Sequence, residues 1–285
     1  MTTGTAPVLI VGAGYSGSRL ATQLRADGQA VLTVSRSPRD GADHQIWQAD
    51  ADAALVLPPG PFRVVYLVPP AAGRPEPRLA ALLAALTEPP ERVVLASTSG
   101  VYGNCDGALI DESQPTNPGT ERARRRVHQE QTLADWAGQR AVRTLTLRIA
   151  GIYGPGRLPI ERIQAGEPVI AAADAYPGNR IHVDDLVRIM AAAVEHPSAA
   201  GVFNVADGQH ISGTDYYRRV AALAGIDAPQ EISRAEAERT FSPQRYSFLA
   251  ESRRLDVTRL RDELGVTLRY TDLDAGIRAA LHDQG

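Results

Sequence analysis

The stretch that most constrains this chain runs from Val8 to Gly17, VLIVGAGYSG, an apolar run that breaks into glycines spaced Gly12-x-Gly14-x-x-Gly17. Val8 to Val11 are apolar at every position, the pattern of a strand covered by helices on both faces of a parallel sheet. Gly12 permits the tight turn out of the strand, Gly14 lets the main chain approach a pyrophosphate, and Gly17 lets the next helix pack close to the strand. That helix follows at once in SGSRLATQLRADG, where Leu20 and Leu24 stand on one face beside Ala21 and Gly28 supplies a stop. Its first-turn residues, Tyr15, Ser16 and Gly17, would turn their amides toward a phosphate. A second strand is expected from Ala30 to Val34. The glycine spacing alone is a weak signal, but strand, glycine turn, helix and strand in this order predict dinucleotide binding.

The end of the second strand bears on which dinucleotide. An NAD site usually places Asp or Glu about 20 residues after the glycines to bond the ribose 2′-hydroxyl, whereas arginine suits a 2′-phosphate. Here the chain reads Ser35-Arg36-Ser37-Pro38-Arg39. Ser35 and Arg36 therefore point to NADP, while Asp40 and Asp43 keep NAD open. A brief strand is expected near Ile46 to Gln48, and Asp50 beyond it is either a neighbour of the adenine or a loop cap. The strand Arg63 to Val68 stops at Pro69-Pro70, which places Val68 and Pro69 where a cofactor crosses the carboxyl edge of the sheet. A helix follows over Leu79 to Leu86. The next strand, RVVLAS, opens into Ser97-Thr98-Ser99-Gly100-Val101-Tyr102-Gly103.

With the glycine turn, STSGVYG, LRIAGIYGPGR (Leu147 to Arg157), RIHVDDLV (Arg180 to Val187) and GVFNVADG (Gly201 to Gly208), the sequence resembles the extended short-chain dehydrogenase/reductase superfamily, the NAD(P)-dependent epimerase/dehydratase group, across nearly its whole length. The resemblance implies a Rossmann fold: α/β, with a doubly wound parallel sheet and a smaller C-terminal substrate-binding lobe. It implies that Thr98 hydrogen-bonds the reacting oxygen of the substrate, a role open to a hydroxyl that both donates and accepts; the alternative is a loop-capping threonine. Tyr102 lies in the same loop and in relatives shapes the pocket. The superfamily's acid/base motif, Tyr-x-x-x-Lys, is missing. The corresponding segment reads GTERARRRVHQEQ, Gly119 to Gln131, and puts Arg122 at the tyrosine position and Arg126 at the lysine position; a slipped register would offer Thr120 and Arg124. Arginine stays protonated near neutral pH and is a poor proton donor. The chain holds no lysine, and all 30 basic residues are arginine, so Arg126 follows the composition; the lost tyrosine does not.

Three readings of the site remain open. Another group, Tyr102, Tyr153, His182 or water, donates the proton; or Arg122 and Arg126 bind an anionic substrate; or the chain binds a dinucleotide as a non-catalytic, redox-sensing regulator. Tyr153, Arg157, Arg180 and His182 are the substrate-side candidates, with Arg253 and Arg254 as weaker ones, and Asp184 or Asp185 is placed to cap a helix over Leu186 to Glu195. Cys105 has no histidine partner indicated and reads as a free thiol.

The expected organisation is a dinucleotide-binding domain over 1–150, completed by about 179–206, with 151–178 and 207–285 forming the smaller lobe. A composition of 44% apolar and 22% charged residues with net charge −3 gives no global attraction to nucleic acid or membrane. No apolar run approaches the roughly 20 residues of a membrane span. MTTGTAPVLIV lacks the basic region of a signal peptide, and a single cysteine fits a cytoplasmic protein without internal disulfides. No metal-binding spacing is present. The sequence thus predicts an NADP-dependent oxidoreductase or epimerase-like enzyme acting on a small polar metabolite, with NAD as the other cofactor option and a homodimer as one assembly.

Overall fold

Val8 and Ile10 of strand β1 (Val8–Val11) pack into one apolar layer, and Leu9 and Val11 pack into another. That alternation follows from the two-residue period of a strand and is why every position of β1 had to be apolar. The structure, a computed structural model, describes residues 6–38, 43–47 and 55–283. After β1 come β2 (Val31–Ser35), β3 (His44–Ile46), β4 (Arg63–Tyr66) and β5 (Arg92–Thr98), then strands Arg143–Ile149 and Gly201–Val205. They form one parallel sheet in the order β3, β2, β1, β4, β5, Arg143–Ile149, Gly201–Val205. The winding reverses between β1 and β4, and the crevice above such a switch point is where α/β sheets bind ligands.

Helix α1 (Tyr15–Ala26) and the helix Val183–Glu195 cover one face through Leu20, Leu24, Leu186, Ile189 and Met190. Helices α2 (Pro77–Ala85) and α3 (Glu121–Gly138) cover the other through Leu79, Leu82, Leu83 and Leu133. Leu20, Leu24, Leu79 and Leu82 are fully buried, each side chain contributing about 1.5–3 kcal/mol by leaving water. The sheet is therefore doubly wound, as the sequence predicts. No helix among the described residues is long and apolar enough to cross a membrane.

Some boundaries shift for identifiable reasons. The short third strand is His44–Ile46 instead of Ile46 to Gln48, because it registers on β2 with His44 opposite Thr33, and the two side chains also meet at 2.9 Å. β4 ends at Tyr66, short of Val68, since the Val68 carbonyl is taken by the side chains of Arg126 and Gln129. Arg39, Asp40 and Asp50 lie outside the described residues.

Beyond the main sheet, three short parallel pairs tie distant segments together: Gly151–Tyr153 with Arg180–His182, Val169–Ile170 with Glu231–Ile232, and Leu109–Ile110 with Arg254–Leu255. Neither expected aspartate caps the helix Val183–Glu195. His182 does so, its Nδ1 accepting from the Asp184 amide at 3.2 Å. Asp185, fully buried, instead accepts from the amides of Arg269 and Tyr270 at 2.7 and 2.9 Å, fastening the chain ahead of the last helix, Leu273–His282. Charged acceptors bonded to buried amides are expensive to remove. Asp185→Ala should therefore cost roughly 2–4 kcal/mol, read as a lower urea midpoint at unchanged m-value; a loss under about 0.5 kcal/mol would contradict this role.

Candidate functional site

The glycine turn has the shape a dinucleotide needs. Gly12 adopts φ +108°, and a Cβ there would crowd the Leu67 and Val68 main chain at 3.2 Å. A Cβ on Gly17 would overlap the Gly12 carbonyl oxygen. Gly14 faces the other way, with nothing within 4 Å of the position its Cβ would take. It is also the N-cap of α1, has no side chain to cap the helix, and is followed by no acidic residue in the first turn. Free amides at an uncapped N-terminus over open space fit a phosphate. The residues present thus fit the pyrophosphate of a nicotinamide dinucleotide, with Tyr15 and Ser16 in the first turn, Val68 and Pro69 on the β4 side, and Ser35 and Arg36 at the end of β2. Ser35 Oγ donates to the Ser37 carbonyl at 2.7 Å, and Arg36 is exposed.

Tyr15 joins this turn to the second glycine-rich turn, Gly154 to Gly156. Its hydroxyl donates to the Pro155 carbonyl at 2.9 Å, while Arg19 and Arg157 lie over its ring at 4.1 and 4.0 Å. Burial pushes the Tyr15 phenol up, and the two guanidinium groups work against that shift.

A cleft of about 820 Å³ opens beside this clasp, lined by the end of β5, the start of α3, the segment from Ala150 to Arg162, and residues of the C-terminal third. Thr98 lines it and also caps the turn Ser99–Tyr102, its Oγ1 accepting from the Gly100 amide at 3.3 Å. The hydroxyl keeps its proton for another acceptor. A buried polar chain underlies the loop. Ser97 Oγ donates to Glu130, which pairs with Arg148 at 2.8 Å; Arg148 lies 4.6 Å over the Tyr102 ring, and Tyr102 donates to Asn204 Oδ1 at 2.7 Å.

The cleft is cationic. Seven arginines and two glutamates line it, with no aspartate. Arg162 and Arg245 share Glu167 at 2.7 and 3.2 Å, and Arg234 donates to the Asp174 carbonyl. Arg122 stacks 3.8 Å over Phe248, and Arg157 stacks on Tyr15. Among the described residues, neither of these two guanidinium groups has a hydrogen-bond partner, so both are open to an anion. Arg180 donates to the Ile211 carbonyl at 2.6 Å and lies 4.3 Å over Tyr216. Nearby Asp207 is buried, which pushes its carboxyl up to about 6.

Several candidates sit elsewhere than the cleft. Arg126 turns inward from α3 and donates to the Ala96 carbonyl at 2.8 Å and to Gln129 at 2.7 Å; burial pulls its guanidinium down to about 10. The Tyr102 hydroxyl is spent on Asn204 in the core, and burial pushes it up. Tyr153 lines the cleft with its ring, but its hydroxyl is buried against Gly276, and burial pushes it far up. His182 lies behind Tyr153, 1% exposed, with burial pulling its imidazole down. Arg254 is exposed and bonds the Gly107 carbonyl, whereas Arg253 lines the cleft. Burial pushes the Cys105 thiol up, away from nucleophile chemistry.

One group was not singled out from sequence. Glu251 enters the cleft from the C-terminal third, held by Arg253 at 3.0 Å, and packs so closely on Gly119 that a Cβ there would lie 2.8 Å from Oε1. Gly119 immediately precedes Thr120, the N-cap of α3, so a carboxylate lies against the start of that helix. Its only sequence signal was the neighbouring pair Arg253-Arg254.

Residues 78–206 match the model of the NAD dependent epimerase/dehydratase family. UDP-glucose 4-epimerase of Azospirillum brasilense is 25% identical over 215 residues, 67% of this chain; the match spans 60% of that relative's length. A functionally unknown conserved protein from Silicibacter pomeroyi DSS has the same fold with TM-score 0.83 and 30% identity, covering 98% of this chain and 99% of its own. MoeE5, solved with UDP-glucose and NAD, gives TM-score 0.75 and 25% identity over 97% of this chain and 98% of its own. Human SDR39U1, solved with NADPH, shares the fold with TM-score 0.75 at 20% identity, covering 97% of this chain and 99% of its own.

Gly14 has an extended, negative-φ backbone that other residues adopt. Gly14→Val should therefore leave the unfolding midpoint nearly unchanged while filling the space above the α1 amides, lowering NADPH affinity at least roughly a hundredfold. Undiminished NADPH binding by this variant in a fluorescence titration would show that the turn is not the phosphate site.

Proposed function

The chain belongs to the NAD dependent epimerase/dehydratase family, and on that premise we propose that it is an NAD(P)-dependent oxidoreductase or epimerase-like enzyme acting on a small anionic metabolite. The observation that carries this reading is the company Thr98 keeps: a reactive-edge hydroxyl facing a cleft in which Arg122 and Arg157 have no hydrogen-bond acceptor among the described residues. An arginine excess in a half-enclosed cleft favours phosphate or carboxylate groups over a neutral sugar or alcohol. UDP-sugars, named with two of the relatives, are one class of such anions.

In this reading Thr98 holds the reacting oxygen, and Arg122 and Arg157 hold the anionic part of the substrate. Glu251 takes the hydroxyl proton when the carbon is oxidised and returns it when the carbonyl is reduced, a role that a permanently charged guanidinium at position 122 cannot fill. Arg253 keeps that carboxylate in place. The bound nicotinamide cofactor supplies or accepts the hydride. Arg36, at the end of β2, supports NADP over NAD. The buried Glu130–Arg148 pair and Tyr102 position the Thr98 loop and stay out of the chemistry.

A second reading has its own support. Arg126, at the position where the family's lysine grips the nicotinamide ribose, is committed to main-chain and glutamine oxygens. A chain that only holds a dinucleotide, as a redox-sensing regulator, would tolerate that loss.

NADPH oxidation across carbonyl, imine and sugar-nucleotide substrates separates the two. Turnover should fall roughly a hundredfold in Thr98→Val and roughly 10²–10⁴-fold in Glu251→Gln, with NADPH affinity unchanged in both. Full turnover by Thr98→Val would remove it from the chemistry; tight NADPH binding with no turnover on any substrate would favour the regulator.

A further inference from the structure

The amino edge of the sheet carries a feature with no part in the cleft. Three neighbouring parallel strands open with arginine, and their register sets those residues abreast: Arg63 of β4 opposite Arg92 of β5, and Arg92 opposite Arg143. Adjacent strands lie roughly 4.8 Å apart, so three guanidinium-bearing positions fall within about 10 Å. Arg140, in the turn after α3, joins them around a hollow of about 530 Å³ that Glu91, Glu195 and His196 also line.

Helix capping explains part of this arrangement. Arg92 donates to the Ala193 carbonyl at 2.9 Å and Arg63 to that of Val194 at 3.5 Å, in the last turn of the helix Val183–Glu195, and Arg143 donates to that of Pro197 just past its end. A helix terminus offers about half a negative charge, and these are three full positive ones. Among the described residues, none of the four arginines forms an ion pair with a carboxylate. Glu195, on the rim, accepts from Gln29 instead. Arg63 and Arg92 are 7% and 4% exposed, and Arg63 Nε is buried without a partner. Burial, and then the neighbouring Arg143 and Arg63, pull the Arg92 guanidinium down, as crowded like charges do.

We propose that this hollow is a second anion site, built for a phosphoryl oxyanion carrying two or more charges and distinct from the cofactor and substrate sites. Arg140 and Arg143 are exposed and reach a ligand from solvent, while Arg63 and Arg92 form the fixed floor. β5 runs from Arg92 at this edge to Thr98 at the other, six residues or about 20 Å, too far for one small anion to serve both. An occupant would join the first residues of three strands to the end of one helix, so its signature is stability of the whole sheet.

The test is thermal unfolding of the full chain carrying Gly14→Val, which keeps phosphoryl groups out of the α1 turn, with orthophosphate, pyrophosphate or ADP, each matched in ionic strength with sodium chloride. Pyrophosphate at about a hundred times its Kd should raise Tm by roughly 4–5 °C in this background, and by under roughly 1 °C when Arg140→Gln and Arg143→Gln are added. Both residues are exposed, and Arg63 and Arg92 keep their bonds to the helix end, so the added changes leave the fold in place. Adding Arg122→Gln, in the cleft, should keep the full shift. A larger shift with ADP than with pyrophosphate assigns the occupant to nucleotides, and equal shifts assign it to the phosphoryl group alone. No pyrophosphate shift in the Gly14→Val chain, a shift that survives Arg140→Gln and Arg143→Gln, or one lost on adding Arg122→Gln would overturn the proposal.

Discussion

The carbonyl oxygen of Gly12 lies where a side chain on Gly17 would begin. That approach brings the first turn of α1 against the end of β1, leaves its amides uncapped, and opens the space above Gly14. A larger residue at position 17 would push the helix off the sheet, with three consequences. The free amides would lose their place over the switch point, Tyr15 would lose the Pro155 carbonyl, and the clasp that brings Arg157 to the cleft would open. The glycine turn and the cleft thus share one steric constraint.

Holding a dinucleotide and moving a proton are separate tasks, and the proposed function divides them among different segments. It gives the first to the glycine turn, the ends of β2 and β4, and the Tyr15 clasp. Of the two arginines expected at the Tyr-x-x-x-Lys positions, Arg122 stacks on Phe248 beside the cleft and Arg126 is drawn into the sheet edge. Because a guanidinium keeps its proton, these replacements favour anion binding and structural support over acid/base work. The carboxylate of Glu251 arrives on the same helix start from more than a hundred residues downstream, which is why the proposed function gives it the proton.

What the sequence made legible follows from the range of each interaction. Strand, glycine turn and helix at the N-terminus were readable because the constraint is local: four apolar residues, three glycines and one amphipathic turn specify it. The doubly wound sheet and the place of Thr98 at the end of β5 were readable for the same reason. Side-chain direction was less so. Tyr102 and His182 share a motif with residues at the cleft, yet Tyr102 turns into the core toward Asn204 and His182 caps a helix, and neither choice is encoded in spacing. Glu251 was invisible because its partner surface, Gly119, is set by how the C-terminal third folds back. The arginine row at the amino edge emerged only from strand register, which aligns residues 63, 92 and 143.

Both the enzymatic and the regulatory readings require a nicotinamide dinucleotide at the first glycine turn. Titration of the purified chain with NADPH and with NADH, followed by nicotinamide fluorescence, tests it most directly. Saturable binding is expected at one dinucleotide per chain, tighter for NADPH because Arg36 directly follows β2. Failure to bind either nucleotide would contradict it.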